Sequence, residues 1–290
     1  MKPAPFAYHA PRDVEEACAL LASGLEADED VRVLAGGQSL VPMMNFRLAA
    51  PAGLVDIGRI PELQFLRVND TGELEVGAGI RQQELLRDPR VVEGWPVLAR
   101  AIRLIGHPQI RSRGTVCGSL AHHDPAGELP AVAVALGAHL HLASVDGERD
   151  VPAAEFFITH FEVALRPGEL VVSVTFPGFQ RGAGWGIREL SRRRGDFAIV
   201  GACCILAARA ASGNDATRVV VFGAGPRPLR VEEAEVLAAS DYDFDADHLR
   251  RQVAEAVEPA SDIHASAEHR RALAGELVAQ SLSDARERRA

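Results

Sequence analysis

The sequence predicts an α+β fold divided into two domains. Its 290 residues are enough for two domains of ordinary size. Hydrophobic residues make up 47% and charged residues 24%, which is the balance of a soluble globular protein. Segment 177–186 holds one proline and four glycines and separates two groups of predicted elements. We therefore expect one domain over residues 1–176 and a smaller α+β domain over 178–285.

The first part of the chain alternates helical and strand patterns. Apolar residues at helical spacing predict a helix over 13–24, with Asp13 as N-cap and Gly24 as the stop. The other elements expected in residues 1–176 are strands at 31–35 and 53–57, a helix at 40–48, a hairpin of 65–68 with 73–76, helices at 95–105 and 129–136, and strands at 139–143 and 170–176.

Fewer elements are predicted in segment 106–128 and in the C-terminal part of the chain. Segment 106–128, GHPQIRSRGTVCGSLAHHDPAGE, has the composition of a long loop. In the C-terminal part we expect an apolar segment at 196–210, a strand at 218–223, helices at 231–239 and 246–257, and a charged helix or frayed tail after Glu268.

Composition excludes several classes of protein. The net charge of −9 disfavours nucleic-acid binding, because phosphates call for a basic surplus. Arginines cluster at 188–194 (RELSRRR), where a phosphate, an acidic partner or solvent could meet them. No apolar run reaches the roughly 20 residues of a membrane span. The first residues lack the pattern of a secretory signal, so a cytoplasmic location is expected.

The first of two glycine-rich segments joins a predicted strand to a predicted helix. It reads Ala35-Gly36-Gly37-Gln38-Ser39, and strand–Gly-Gly–helix is an arrangement that can hold a phosphate through close backbone approach and free N–H groups. It is not a Rossmann fingerprint, since Gln38 and Val41 stand where further glycines would be needed. Alone, a plain strand-to-helix turn is the commoner explanation.

The second glycine-rich segment reads Gly114-Thr115-Val116-Cys117-Gly118-Ser119. Two glycines and two hydroxyls again give a surface rich in donors. Two such segments in one predicted domain indicate a ligand with two phosphates.

These segments carry a resemblance to a known family. AGGQSLVPMMNFRLAAPAGLVDIGRIPEL and IRSRGTVCGSLAHHDPAGELPAVAVALGA are similar to the two FAD-binding signatures of the medium subunit of aerobic carbon monoxide dehydrogenase and of the xanthine dehydrogenase flavin domain. GELVVSVTFP and RELSRRRGDFAIVGA extend the resemblance over nearly the whole chain. It implies a two-part PCMH-type FAD-binding domain (subdomains about 1–57 and 58–176) followed by the smaller C-terminal domain.

The resemblance also implies the residues that bind FAD. Ala35–Ser39 with Leu40, and Thr115–Ser119, are expected at the pyrophosphate, Ile105 and Arg188 near the flavin, Glu128 at the adenosine ribose, and Val171 at the adenine or the flavin. The implied cofactor-binding set is Ala35, Gly36, Gly37, Gln38, Ser39, Leu40, Ile105, Thr115, Val116, Cys117, Gly118, Ser119, Glu128, Val171 and Arg188. The family often has Gly at position 117 and Asn at 119, so the role of Cys117 is open.

Two other kinds of site compete with FAD binding in the same segment. Cys117 with His122, His123 and Asp124 could form a nucleophile and base, but nothing marks the thiol as ionised. The same histidines with His107 match no known metal-ligand spacing. None of the four cysteines forms a C-x-x-C pair, so neither zinc nor an iron–sulfur cluster is expected in this chain.

The expected function is therefore electron transfer. By resemblance, this chain holds FAD while a molybdenum large subunit and a small subunit with 2Fe-2S iron–sulfur clusters carry the other cofactors, in a dimer of heterotrimers. The alternative is a self-contained flavin-dependent oxidoreductase with its own substrate pocket, and a third class is a scaffold that has lost its flavin. The substrate of the complex and its electron acceptor stay open.

Overall fold

A computed structural model describes residues 2–208, 217–240 and 245–289. Its strands are β1 (Ala7–His9), β2 (Val31–Leu34), β3 (Gly53–Asp56), β4 (Leu66–Val68), β5 (Leu74–Gly77), β6 (His139–Ser144), β7 (Gly147–Pro152), β8 (Phe157–Thr159), β9 (Glu162–Val163), β10 (Leu170–Phe176), β11 (Gly184–Ser191), β12 (Ala198–Leu206), β13 (Arg218–Phe222) and β14 (Leu229–Arg230).

Helices connect and cover these strands. They are α1 (Val14–Glu26), α2 (Leu40–Asn45), α3 (Gln82–Leu85), α4 (Pro89–Gly94), α5 (Pro96–Leu104), α6 (Pro108–Arg111), α7 (Val116–His122), α8 (Glu128–Leu136), α9 (Ala153–Phe156), α10 (Glu232–Ser240), α11 (Ala246–Ala256) and α12 (Ala267–Arg288), with a 3₁₀ turn at Pro61–Leu63. No helix in the described part of the chain is long and apolar enough to cross a membrane.

The N-terminal sheet is parallel, with strand order β1-β3-β2. The Asp13 carboxylate caps α1 by accepting from the N–H of Glu16 at 2.8 Å, as expected. The expected stop at Gly24 was wrong, since α1 continues to Glu26. Gly24 is there for packing: a Cβ on it would lie 2.4 Å from Val31 Cγ2 of the neighbouring strand.

The central sheet is antiparallel, with strand order β4-β5-β10-β6-β7. The predicted hairpin of β4 and β5 is confirmed, and Asn69 closes its turn by accepting from the N–H groups of Thr71 and Glu73. Strand β7 was missed because GERDVP lacks an apolar run, and it forms by pairing along β6. Helix α7 packs on β5 and β10 of this sheet, and residues of α5 and α8 complete the main apolar core.

The C-terminal sheet is antiparallel, with strand order β11-β12-β13-β14. One face packs on α12, and β11 carries glycines there: a Cβ at Gly184 would lie 1.9 Å from the Ala285 carbonyl oxygen, and one at Gly186 would lie 2.0 Å from that of Ser281. The other face packs on α8 and α5. The C-terminal domain therefore contacts the FAD-binding domain through the face of this sheet that is opposite α12.

Three further expectations need correction. The helix predicted at 40–48 ends at Asn45, and Arg47 adopts a positive φ of 57°. Segment 106–128 is not an open loop, because it contains α6, α7 and the first residue of α8. Strand β11 begins inside the expected linker 177–186.

The C-terminal expectations were closer. The charged segment after Glu268 belongs to α12, a 22-residue helix with a buried apolar face. Most of the apolar segment 196–210 is β12, while residues 209 and 210 lie outside the described residues.

Candidate functional site

The two glycine-rich segments lie against each other. A Cβ at Gly36 would be 2.5 Å from the carbonyl oxygen of Arg113 and 2.7 Å from Gly114 Cα, and one at Gly118 would be 3.4 Å from Ala35 Cβ. Glycine is needed here because two stretches of backbone touch with no room for a side chain. The structure therefore brings together residues that are far apart in the sequence.

The first segment presents free donors. Within the described part of the chain, nothing accepts a hydrogen bond from the backbone N–H groups of residues 36–39. Gly37 has a φ of +70°, which favours glycine and turns successive N–H groups outward. Ser39 is the N-cap of α2, yet its hydroxyl makes no capping bond and stays available. Leu40 is the first residue of that helix.

The second segment is the start of helix α7 rather than a loop. Thr115 is its N-cap, and its Oγ1 accepts from the N–H of Gly118 at 3.0 Å. The N–H of Ser119 binds the Thr115 carbonyl oxygen at 3.3 Å. Two of the donors expected to face a phosphate therefore already have partners in the protein, and the first segment offers more free N–H groups than the second.

Two residues that sequence reasoning missed fix the second segment. The N–H of Gln82 donates to the Gly114 carbonyl oxygen at 2.8 Å. The Arg81 side chain donates to the backbone carbonyl oxygen of Arg113. Gln82 is 3% exposed and its Oε1 has no partner in the described part of the structure. Neither residue belongs to a recognisable motif, so only the fold reveals their position.

Ile105 is tied to the same region through Arg111. The Ile105 carbonyl oxygen accepts from Arg111 Nη1 at 2.6 Å, and Gly106 follows with a positive φ. The carbonyl oxygen of Ile110 in turn accepts from the N–H of Gly114 at 2.8 Å. A short run of hydrogen bonds thus links Ile105 to the second glycine-rich segment.

The expected ribose ligand, Glu128, begins α8 and is 6% exposed. Burial, together with the negative charge of Glu189, raises the pKa of Glu128 to about 8. Its carboxyl makes no hydrogen bond to another residue in the described part of the chain. The carboxyl accepts from its own backbone N–H, and a carboxylate can accept further hydrogen bonds.

Val171 and Arg188 occupy different surroundings. Val171 is 4% exposed in β10 and packs in the main core. Arg188 lies on the α12 side of the sheet, where Asp284 binds it through two 2.8 Å contacts. Arg188 and the neighbouring Glu189 both line a groove with Arg100 and Leu104 of α5. The structure therefore does not bring Arg188 to the two glycine-rich segments.

The competing sites find no support. The Cys117 thiol is 2% exposed and donates toward the Val76 carbonyl oxygen at 3.6 Å, and burial raises its pKa to about 12. A neutral, enclosed thiol is a packing group rather than a nucleophile. Among the residues that the structure describes, no group of three His, Cys, Asp or Glu side chains could hold a metal ion.

This arrangement fits FAD. Free backbone N–H groups and the Ser39 hydroxyl suit a diphosphate, and the absence of side chains at positions 36 and 37 allows close approach. The buried carboxyl of Glu128 can accept hydrogen bonds from hydroxyl groups. The residues that would hold the pyrophosphate come chiefly from the first segment, with the second segment packed behind it.

Comparison with known proteins agrees with this fit. Residues 4–179 match the family described as FAD binding domain in molybdopterin dehydrogenase, and residues 185–285 match the CO dehydrogenase flavoprotein C-terminal domain. The chain is 38% identical over 289 residues to the 6-hydroxypseudooxynicotine dehydrogenase complex subunit alpha of Paenarthrobacter nicotinovorans, covering 98% of this chain and 96% of the relative. It is 36% identical to the carbon monoxide dehydrogenase medium chain of Hydrogenophaga pseudoflava, with 98% of each chain covered.

Solved structures give the same result. A chain of the Hydrogenophaga pseudoflava carbon monoxide dehydrogenase, in a form lacking the Mo-pyranopterin moiety, superposes with a TM-score of 0.92 at 37% identity over the whole of both chains. Quinoline 2-oxidoreductase from Pseudomonas putida 86 gives 0.89 at 33% identity, with 99% of each chain covered. The chain belongs to the family of FAD-binding medium subunits of molybdenum hydroxylases. It is an oxidoreductase subunit with an FAD-binding domain followed by a C-terminal α+β domain.

Proposed function

We propose that the chain is the electron-transfer subunit of a molybdenum hydroxylase, in which FAD receives electrons from iron–sulfur clusters on a partner subunit and passes them to an external acceptor. The observation that carries the proposal is the free N–H surface of residues 36–39, packed on the second glycine-rich segment in a chain that lacks its own cluster ligands. FAD supplies the redox chemistry when it is bound. The protein binds and orients the cofactor.

Each part of the site has a proposed task. Residues 35–40 hold the pyrophosphate through backbone N–H groups and the Ser39 hydroxyl. Residues 115–119, with Thr115 as cap, support that segment and close the cradle. Glu128 accepts from ribose hydroxyls. Ile105 and Val171 supply apolar surface near the ring system, and Arg188, bound to Asp284 of α12, acts on the flavin at longer range.

Partners are proposed on the same basis. All four cysteines are buried and free, so none is placed to hold a cluster. The electron donor must then sit on another polypeptide, a small iron–sulfur subunit next to a molybdenum large subunit, in a dimer of heterotrimers located in the cytoplasm. The names of the relatives, such as complex subunit alpha and medium chain, support a multi-subunit assembly.

FAD content and reduction of the isolated chain test this proposal. The purified chain is expected to bind one noncovalent FAD that denaturation releases, and to be bleached by dithionite but not by small organic substrates. The rival, a self-contained oxidoreductase, requires that a substrate reduce the flavin of the lone chain at an enzymatic rate. A folded chain that binds no FAD under any condition would indicate the scaffold instead.

A further inference from the structure

The turn between β11 and β12, residues 192–197, presents three consecutive arginines to solvent. Arg192, Arg193 and Arg194 are all exposed, and none forms an ion pair with another residue in the described part of the chain. Arg192 Nη1 lies 3.5 Å from Nδ1 of the His264 ring, which is a weak contact. Because the chain has 40 acidic and 31 basic side chains, this arginine turn is a positive surface on an acidic protein.

Local hydrogen bonds hold the arginine turn in one conformation. The Ser191 hydroxyl donates to the Arg193 carbonyl oxygen at 2.9 Å, and the N–H of Asp196 donates to the same oxygen at 3.0 Å. Gly195 has a φ of +91°, a conformation that favours glycine. A turn fixed in this way loses little conformational freedom when a partner binds its arginines.

The arginine turn packs against the FAD-binding domain beside the candidate site. A Cβ at Gly195 would lie 2.7 Å from His107 Cε1, so the turn touches the segment that follows Ile105. The His107 carbonyl oxygen accepts from the N–H of Ile110 at 2.9 Å, and the Ile110 carbonyl oxygen accepts from the N–H of Gly114 at 2.8 Å. The arginine turn is therefore connected through α6 to the second glycine-rich segment.

Apolar and further basic side chains extend this surface. Phe197, at the end of the turn, is 65% exposed, and Ile110 on α6 is 37% exposed. Arg113, which directly precedes the second glycine-rich segment, is exposed as well. Segments 106–113 and 192–197 together hold five arginines and a single acid, Asp196. Arginine combined with aromatic side chains is the composition that protein interfaces favour, so this surface suits an acidic protein.

The charge of this surface separates two kinds of partner. Permanent subunit contacts have an apolar core that is depleted of charge, whereas contacts between electron-transfer proteins are small, transient and steered by charge. Unpaired, exposed arginines fit the second kind. We propose that the arginine turn and α6 form the docking surface for the external electron acceptor, and that this acceptor is an acidic one-electron carrier protein. The inference rests on the proposed function, in which electrons leave the chain from FAD.

The electron balance requires two carrier molecules for each reduced flavin. Fully reduced FAD holds two electrons and two protons more than oxidised FAD. Each carrier takes one electron and becomes reduced, FAD returns to its oxidised form, and both protons pass to solvent. The residues of this surface supply only the docking, since the arginines attract the acidic carrier at long range and Phe197 and Ile110 give it apolar contact.

Oxidation of the reduced flavin by two probe proteins tests this surface. The FAD-loaded full chain is reduced anaerobically with stoichiometric dithionite and mixed rapidly with plastocyanin, an acidic one-electron acceptor, or with cytochrome c, a basic one. We expect the rate with plastocyanin to fall about tenfold as salt rises from ~20 to ~300 mM, because salt screens the attraction. The net charge of −9 would by itself give the opposite order, in which only the rate with cytochrome c falls.

Variants separate the surface from the rest of the chain. Arg192→Gln, Arg193→Gln and Arg194→Gln combined should slow oxidation by plastocyanin about tenfold at low salt and remove most of its salt dependence, with the flavin spectrum unchanged. Phe197→Ala should slow oxidation by plastocyanin and leave oxidation by ferricyanide, a small anion, unchanged.

A matched control removes the same charge elsewhere. Arg12→Gln, Arg67→Gln and Arg251→Gln combined change three exposed arginines that precede α1, lie on β4 and lie on α11. This control variant should react with plastocyanin at the rate, and with the salt dependence, of the wild-type chain.

The outcomes are distinguishable. A rate with plastocyanin that does not fall with salt, or that is the same in the arginine variant as in wild type, overturns the docking surface and leaves the electron-transfer function standing. If the arginine variant no longer co-purifies with its partner subunits, the turn is a subunit interface, and the inference is wrong. Equal slowing of plastocyanin and ferricyanide by Phe197→Ala also contradicts a protein partner. A chain that binds no FAD contradicts the proposed function itself.

Discussion

At the scale of single residues, the site depends on positions where no side chain fits. Gly36 touches Arg113 and Gly114, and the sequence alone shows only that a glycine stands there. Gly-rich patterns predict close approach, but they do not say what approaches. Here the close neighbour is the second glycine-rich segment itself, a contact that sequence spacing could not reveal.

Gly36→Ala tests this contact. The added Cβ would lie within 2.5 Å of a carbonyl oxygen, so the two segments must separate and the free N–H groups move. We expect loss of FAD at micromolar concentration with most of the secondary structure retained, measured by absorbance after gel filtration and by circular dichroism. Gly94→Ala is the control, because a Cβ there meets nothing within 4 Å. Equal FAD content in both variants would show that the close contact is not needed for binding.

Residue chemistry also decides the part played by Cys117. From the sequence, a thiol beside two histidines left a nucleophile open. Because the thiol is enclosed against β5 and its pKa is raised, Cys117 is not a nucleophile. Burial depends on the whole fold, so no local pattern could have settled it.

At the scale of elements, most of the long helices and strands were predictable and the short helices were not. Strand β10 was predicted at its observed bounds, because a run of branched apolar residues needs no tertiary information. Helix α7 was missed because VCGSLAH contains glycine and has only seven residues. Its existence depends on the Thr115 cap and on packing against the central sheet.

Thr115→Val tests that cap. Valine has the shape of threonine but cannot accept from the N–H of Gly118, so α7 should lose about 1 kcal/mol of stability. Urea unfolding should show this loss, and FAD affinity should fall because the segment behind residues 36–39 loosens. Thr115→Ser keeps the hydroxyl and should restore both. A valine variant as stable and as tight as wild type would contradict the capping role.

A second element-scale prediction concerns Arg188 and α12. The Arg188 guanidinium holds the pKa of Asp284 below its usual range, so this ion pair contributes stability at neutral pH that is lost as pH falls through the lowered pKa of Asp284. Arg188→Met should cost up to about 1 kcal/mol, because the pair is half exposed.

The flavin provides the second readout for Arg188. The absorption spectrum and the reduction potential of the bound flavin should be unchanged in Arg188→Met. A double-mutant cycle with Asp284→Asn should assign the stability loss to the pair. A clear shift of the flavin potential would instead support the expectation from family resemblance that Arg188 acts near the flavin.

At the scale of the whole molecule, the buried carboxyl of Glu128 in the FAD-binding domain and the half-buried carboxyl of Glu189 in the C-terminal domain both have shifted pKa values. The pKa values of Glu128 and Glu189 are raised in the folded state, so their favourable contribution is present below the unfolded value of about 4.5 and is lost as pH rises through about 7 to 8. The FAD-free chain should therefore have a lower Tm at pH 8.5 than at pH 6.

The comparison with a variant isolates that effect. Glu189→Gln removes one of the two ionisations, so its Tm should fall less over the same range, as differential scanning fluorimetry can measure. Glu255→Gln, at an exposed position of α11, serves as the control. Parallel pH profiles for wild type and Glu189→Gln would contradict the assignment of this pH dependence to the pair.

Bleaching of the flavin by substrate tests most directly whether this flavoprotein, as we propose, works only with partner subunits. The chain is co-expressed with its neighbouring genes, the complex is isolated by size exclusion, and flavin absorbance is followed after anaerobic addition of the hydroxylase substrate. We expect the flavin to bleach in the complex and to stay oxidised in the isolated chain given the same substrate. Bleaching of the isolated chain at an enzymatic rate would contradict this proposal.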